Sequence, residues 1–447
     1  WQHLGNAGAN TSLYVTNSLF RNLHGPAQQW EGMMMQFDAG ADTVVIENNT
    51  VFNIGFTLVK NEAVPVNYLR MNHNTFVNVG RIITSGGIWK EGYFTNNVFV
   101  NYYWHGEQPS EYEDPNRVDP DGSFLVIWDM PARFGTNLDR RIVFNNNSFW
   151  RDETIAAGMP DDIQQALIAN DTTLGWIAAY DGMVMENNFM DANPGLTTYP
   201  SEIIPNMIAN ITELRAGNSD APKYIWDPGR DEECPQCNIW PVPEDYTYTN
   251  EDLMTGGTDG LPLGDLNWYP DAKADFLANK DQYVADIEAL AGAKLELNIV
   301  GGAEADDGTL SGAAEVEVVE GGTYFEMQPG GFINWEFDIP ADGSYDLVLG
   351  TRLAFGTKGQ HTRIDDGRIK NQAFTGNGEF VFDANVLGSE WVDYLIDADT
   401  IWVPDNPNFV GPEVLDFTAG THTLNLQPSW GFQHFRGFSI VDRATRD

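Results

Sequence analysis

"YLRMNHNTFVNVG", Tyr68–Gly80, places three asparagines inside an apolar stretch. Asparagine is a poor helix former and a poor strand former, so the stretch fits neither element as it stands. The same arrangement recurs. Asn74 has Met71 three residues before it and Phe76 two residues after it. Equivalent sets surround Asn17, Asn49, Asn97, Asn147 and Asn187. These anchors step by 49−17 = 32, 74−49 = 25, 97−74 = 23, 147−97 = 50 and 187−147 = 40 residues. Two steps lie at 23 to 25, and the others read as that length plus an insertion.

A period in the twenties, with short strands and a turn-forming Asn, predicts stacked repeats. Asn tolerates the left-handed backbone of a tight turn. Stacking would place Asn49, Asn74, Asn97, Asn147 and Asn187 in one column, each amide bonding the next, over an apolar core. This pattern resembles a right-handed parallel β-helix of the pectate-lyase-like superfamily, over roughly residues 1–195. The Leu-rich consensus of the competing leucine-rich solenoid is absent. The implied fold class is all-β: a parallel β-helix solenoid plus a C-terminal β-sandwich, with one helix in the connecting region.

Net charge is −41, from 65 acidic residues against 24 Lys and Arg, and it is spread along the 447 residues. Nucleic acid and anionic membranes are poor partners for such a surface. No stretch of 18 apolar residues is present, so no membrane span is expected. The chain opens at Trp1 with the first repeat almost at once, where a β-helix needs a cap. It reads as a mature or truncated product of an exported, extracellular or cell-surface protein, lacking earlier rungs. The only cysteines, Cys234 and Cys237, form a CxxC in a Pro-rich loop. That context suits a small structural disulfide, with free thiols as the alternative, better than a redox helix or a zinc site.

Strands equivalent to Met33–Phe37 are expected at 56–60, 81–84, 124–128 and 175–179. The long steps insert residues about 102–122 and 151–174 before this strand, and insertions of this kind line binding faces. Residues 196–297 lose the repeat and read as an extension packing back on the solenoid. A helix is expected at about 271–291, with Phe276, Tyr283, Ile287 and Leu290 on one face and Gly292 as its stop. From 298 to 447, alternating strands with Gly-rich turns argue for a β-sandwich. "GGAEA" (Gly301–Ala305), "INWEFDIPADGSYDLVLGTRL" and "FTAGTHTLNL" with "FRGFSIVD" resemble a carbohydrate-binding module of the family 6 or 35 type. That resemblance implies a structural calcium between the first and last strands, held by Glu304 and Asp442, although an Ala stands where the family usually has Glu. It also implies sugar stacking on Trp430 and Phe432 in a loop at the sandwich edge, and on Tyr394 and Trp402 in an inserted loop. Trp335 reads as core.

On the solenoid, the strand bordered by the insertions would floor a cleft. A lyase acting there needs a cation for the uronate carboxylate and a base. Lys60 and Arg81 are expected about one rung apart on that strand, and His105 opens the first insertion as a candidate base. A hydrolase would need paired carboxylates, for which Asp129 is the candidate. Pairing of Lys60 and Arg81 with acidic neighbours, and turn capping by Asp129, are the plainer readings. Asp119 and Asp121 stand in an oxygen-rich loop that could hold Ca²⁺, short of a full calcium-loop pattern. Two functions remain: a polysaccharide lyase or glycoside hydrolase acting on an acidic glycan, or a non-catalytic surface or fibre protein that binds glycan or another copy of itself.

Overall fold

The structure, a computed structural model, describes most of residues 2–442. Its longer omissions, of five residues or more, are 5–11, 25–31, 113–121, 131–136, 293–298, 327–331, 376–391 and 397–414, with shorter ones between them. The chain divides into two compact units: 1–129 with 140–294, and 130–139 with 295–447. Both are mostly β.

In the first unit the chain visits three sheets in turn, and each strand pairs in parallel with the strand of the next circuit. One sheet holds Gln2–Leu4, Met33–Phe37, Thr57–Asn61 and Thr84–Ser85. The second holds Ser12–Thr16, Ala41–Glu47, Val66–Asn72, Trp89–Thr95, Arg141–Asn145 and Met183–Val184. The third holds Leu19–Leu23, Thr50–Ile54, Thr75–Val79, Val98–Tyr102 and Ser148–Trp150. Register is strict: Phe99 lies opposite both Phe76 and Phe149, and its ring stacks on each at 5.2 Å. The inner faces of all three sheets share one apolar core.

The corner between the second and third sheets is a tight two-residue turn. Its first residue is left-handed: Asn17, Asn48, His73, Asn96, Asn146 and Asn187 all have φ between 52° and 59°. Its second residue carries the amide column. Asn49 donates to Asn74 (3.0 Å), Asn74 to Asn97 (2.9 Å), Asn97 to Asn147 (2.9 Å), and Asn147 to Asn188 (3.2 Å). Asn187 and Asn17 therefore belong to the left-handed position, and Asn188 is the column member expected at Asn187. The left-handed residue and the column residue are adjacent, where the sequence reading merged them. A second column runs within the third sheet, where Asn22, Asn53, Asn78 and Asn101 are also left-handed. Asn53 donates to Asn22 (3.0 Å), Asn78 to Asn53 (2.7 Å) and Asn101 to Asn78 (2.7 Å).

Among the described residues of this unit are the α-helices α1 (Pro109–Tyr112), α2 (Glu153–Gly158), α3 (Asp171–Ala179), α4 (Ile204–Arg215) and α5 (Pro270–Ala289). Residues 175–179, expected as a strand, lie inside α3, which is capped by the Asn170 side chain accepting from Thr173 N–H. The connecting region holds two helices, α4 and α5, rather than one. Ile203, Met207, Tyr246 and Leu253, from the region after the repeats, cover the outer face of the third sheet, where they meet Phe52, Val77 and Val98. Both faces of that sheet are thus buried, and its central strands are buried at every position, the column asparagines included. On α5, Phe276 and Ile287 are buried, while Leu290 is exposed. Among the described residues, no helix is long and apolar enough to cross a membrane.

The second unit is a β-sandwich of two antiparallel sheets. One is built on Gly343–Arg352 and His434–Asp442, the other on Phe332–Ile339 and Gly420–Trp430. Trp335, Leu347, Leu424, Phe435 and Ile440 fill the space between them.

Candidate functional site

Two of the residues singled out in the sequence, Arg81 and His105, meet where the third sheet turns into the first. Successive circuits stack there in register: Gly80 N–H donates to Ile54 O (2.9 Å), Arg81 N–H to Phe56 O (2.9 Å) and His105 N–H to Gly80 O (3.0 Å). Gly80 is required at this corner. A Cβ on it would stand 2.1 Å from Gly55 O and 2.8 Å from Cε1 of His105. The imidazole occupies the space that any other residue would fill.

Around it gathers a buried polar cluster. Arg81, only 4% exposed, donates from Nη1 to Glu111 Oε1 (2.8 Å) and to Gly106 O (3.3 Å). Its guanidinium lies 5.3 Å from the Tyr103 ring centroid. Arg215, in the last turn of α4, donates from Nη2 to Gly106 O (2.8 Å) and stands 3.6 Å from Glu111 Oε2. Two guanidinium groups therefore converge on the single Glu111 carboxylate, each on its own oxygen. The same Oε2 accepts from Gln108 N–H at 2.8 Å, which fixes the short α1 helix over the clamp. Tyr103 donates to Glu107 Oε1 (3.3 Å), and the Glu107 backbone exchanges two 2.8 Å hydrogen bonds with Gln164.

His105 is 2% exposed. Burial, then the charges of Arg81, Arg215 and His24, hold its pKa well below the ordinary histidine value, so the ring is neutral. Among the described residues, neither ring nitrogen has a hydrogen-bond partner, and neither does Nε1 of Trp104, whose ring stands edge-on 4.3 Å away. Buried polar atoms are almost always partnered, so three orphans side by side mark a place suited to a polar guest. Burial also lowers the Arg215 pKa, with the Glu111 charge opposing that effect. A neutral imidazole beside a pair of cations can accept a proton from carbon acidified by a bound carboxylate.

The other expectations fare differently. Lys60 does not lie beside Arg81. Its register partners are Gln36 and Ser85, and Arg81 is level with Phe56, four residues back along the strand. Asp129 is exposed, near the buried Arg140 whose charge it supports. Tyr394 lies on the paired strand Val392–Ile396 rather than in a loop, and Trp430 ends the strand Gly420–Trp430 opposite Gly359. Glu304 is opposite Gly437, whereas Asp442 is opposite Tyr345. Five residues of extended chain, roughly 17 Å, separate Gly437 from Asp442 along that strand. Cys234 is disulfide-bonded. Cys237, Asp119, Asp121, Trp402 and Phe432 lie outside the described residues. Sequence reasoning missed Glu111 and Arg215. Arg215 is more than a hundred residues from its partners, and no local pattern signals it.

No protein-family description and no curated protein matches the chain. Among solved structures, it is similar to a Podospora anserina GH26-CBM35 β-(1,4)-mannanase, with 16% identity, a TM-score of 0.23, and 32% of this chain and 27% of that one covered. It is similar to a family 35 carbohydrate-binding module from Clostridium thermocellum, with 16% identity, a TM-score of 0.22, and 31% and 93% covered. It is also similar to a module of Cellvibrio mixtus lichenase 5A in complex with cellotriose, with 15% identity, a TM-score of 0.23, and 32% and 98% covered. The match spans about a quarter of the length of the first of these, the mannanase.

Proposed function

We propose that the chain is an exported polysaccharide-active protein whose first unit, a parallel β-helix, cleaves an acidic glycan by elimination, and whose sandwich holds the polymer. The observation that carries this reading is the neutral, unpartnered His105 beside the Arg81–Arg215 pair. A uronate carboxylate on the two guanidiniums would spread the charge that develops when the neighbouring carbon loses its proton. Imidazole accepts that proton. The carbon–oxygen bond of the glycosidic linkage breaks as the ring double bond forms, and the imidazolium returns the proton to the departing oxygen. The net charge of −41 repels polyanions at long range. The local arginine pair is the feature that would offset this repulsion at short range.

The test is incubation with a panel of uronate polymers, following ultraviolet absorbance of new double bonds. His105→Ala and Arg81→Gln should abolish the signal. No absorbance change with any uronate polymer refutes the elimination reading. One observation favours a non-catalytic glycan-binding or fibre protein: the clamp is filled by the chain's own Glu111, and His105 is shut from solvent. In that case, the same panel would show binding without new double bonds.

A further inference from the structure

The placement of Glu111 has a second meaning, which rests on the reading above. We infer that the Arg81–Arg215 pair is a carboxylate-binding site and that Glu111 is its built-in occupant, holding the site closed until a uronate carboxylate takes its place. Glu111 sits as a ligand would. One oxygen is 2.8 Å from Arg81 Nη1 and the other 3.6 Å from Arg215 Nη2. It is delivered by a four-residue helix inside an insertion, whereas both arginines and His105 stand on elements of the packed scaffold. Among the described residues, Gln108 N–H donates to the same carboxylate, and Glu107 pairs with Gln164 through its backbone. Arg81 and Arg215 also share Gly106 O, which fixes the spacing of the guanidiniums independently of Glu111. The clamp would thus keep its shape when the carboxylate leaves. Glu111 gives no hydrogen bond to either ring nitrogen of His105.

An internal occupant lowers apparent affinity in proportion to the fraction of molecules it keeps closed. Glu111→Gln removes the charge and keeps the shape, and Glu111→Ala removes the occupant. Both are titrated with a glucuronate oligomer, a galacturonate oligomer and an uncharged cello-oligomer, using isothermal calorimetry on the full chain. The expected result is a gain of about tenfold or more for a uronate oligomer in both variants and no gain for the neutral sugar. Adding Arg215→Gln should cancel the gain. A folded Glu111 variant, with its circular dichroism unchanged and its uronate affinity no better than wild type, overturns the inference. Binding that improves without new double bonds leaves the inference standing and removes the elimination reading. Turnover by wild type that Glu111→Gln does not accelerate does the reverse. If both variants fail to fold, hydrogen exchange on the wild type decides. Saturating uronate oligomer should speed exchange of the Gln108 amide, whose acceptor is Glu111, and unchanged exchange overturns the proposal.

Discussion

Replacing Asn74 by Ala should break a fully buried link in the middle of the amide column. The side chain is fully buried. Its Nδ2 donates to Asn97 Oδ1 at 2.9 Å and to Ile46 O at 2.9 Å. Its Oδ1 accepts both the backbone N–H of Asn49 at 3.1 Å and the Asn49 amide at 3.0 Å. After truncation, Asn49 keeps one side-chain bond, to Val15 O at 2.8 Å, but its backbone N–H loses the acceptor it had. Asn97 Oδ1 retains only the Asn74 backbone N–H. One orphaned buried donor, at about 1–3 kcal/mol, with weakened acceptors at Asn97 Oδ1, Ile46 O and Asn72 O, gives about 3–5 kcal/mol with the small cavity included. Asn188, at the end of the column and half-exposed, supplies the internal control. Water can replace its bonds, so Asn188→Ala should cost about 1 kcal/mol. Guanidinium unfolding followed by far-UV circular dichroism gives both values. Equal losses for the two variants, or a loss under about 1 kcal/mol for Asn74→Ala, would refute the claim that burial makes the column expensive to break.

Two further outcomes follow from the buried cations and the imidazole. His105 is neutral when folded, with its pKa depressed by burial and then by Arg81, Arg215 and His24. The unfolded chain takes up a proton below about pH 6.5 and the folded chain does not, so stability falls on acidification by up to ~1.4 kcal/mol per pH unit until the folded pKa is reached. His105→Asn should lose that component, and unfolding free energies at pH 7, 6 and 5 should show a shallower slope than wild type; parallel slopes would refute the assignment. Arg140, buried with its pKa lowered to about 10 by burial, donates to Trp89 O (2.8 Å), Trp128 O (2.5 Å) and Gly87 O (2.7 Å). One lysine ammonium cannot span these three carbonyls, so Arg140→Lys should cost about 2–4 kcal/mol by denaturation, and a cost below about 0.5 kcal/mol would contradict it.

How far the sequence speaks depends on the kind of signal. The alternation in "INWEFDIPADGSYDLVLG" is a period-two pattern, and it lies on paired strands of the sandwich. The spacing of Asn49, Asn74 and Asn97 marks residues that hydrogen bond, because one turn repeated in register forces the same residue into the same corner. Adjacent asparagines are ambiguous, however. Asn48 and Asn49 differ only in backbone conformation, which residue type does not reveal, and this shifted the last column member by one. The second column was visible as an Asn four residues after Asn49, Asn74 and Asn97, at Asn53, Asn78 and Asn101, and was passed over. The α3 segment "TLGWIAA" is a short, nearly continuous apolar run, whose period does not separate helix from strand. Half of the candidate site was legible, since Arg81 and His105 belong to the repeat. Glu111 and Arg215 come from an insertion and a distant helix, and nothing local links them.

The amide column and the insertions leave the circuit at different corners. Each Asn turn joins the second sheet to the third in two residues, while the 50-residue and 41-residue intervals, Asn97 to Asn147 and Asn147 to Asn188, spend their extra length after the third sheet. Architecture and variation are therefore kept on separate flanks. Segments beside His105 can be lengthened, shortened or exchanged without altering the spacing of the amides, so an engineer could graft new specificity there while the opposite seam goes on templating the frame.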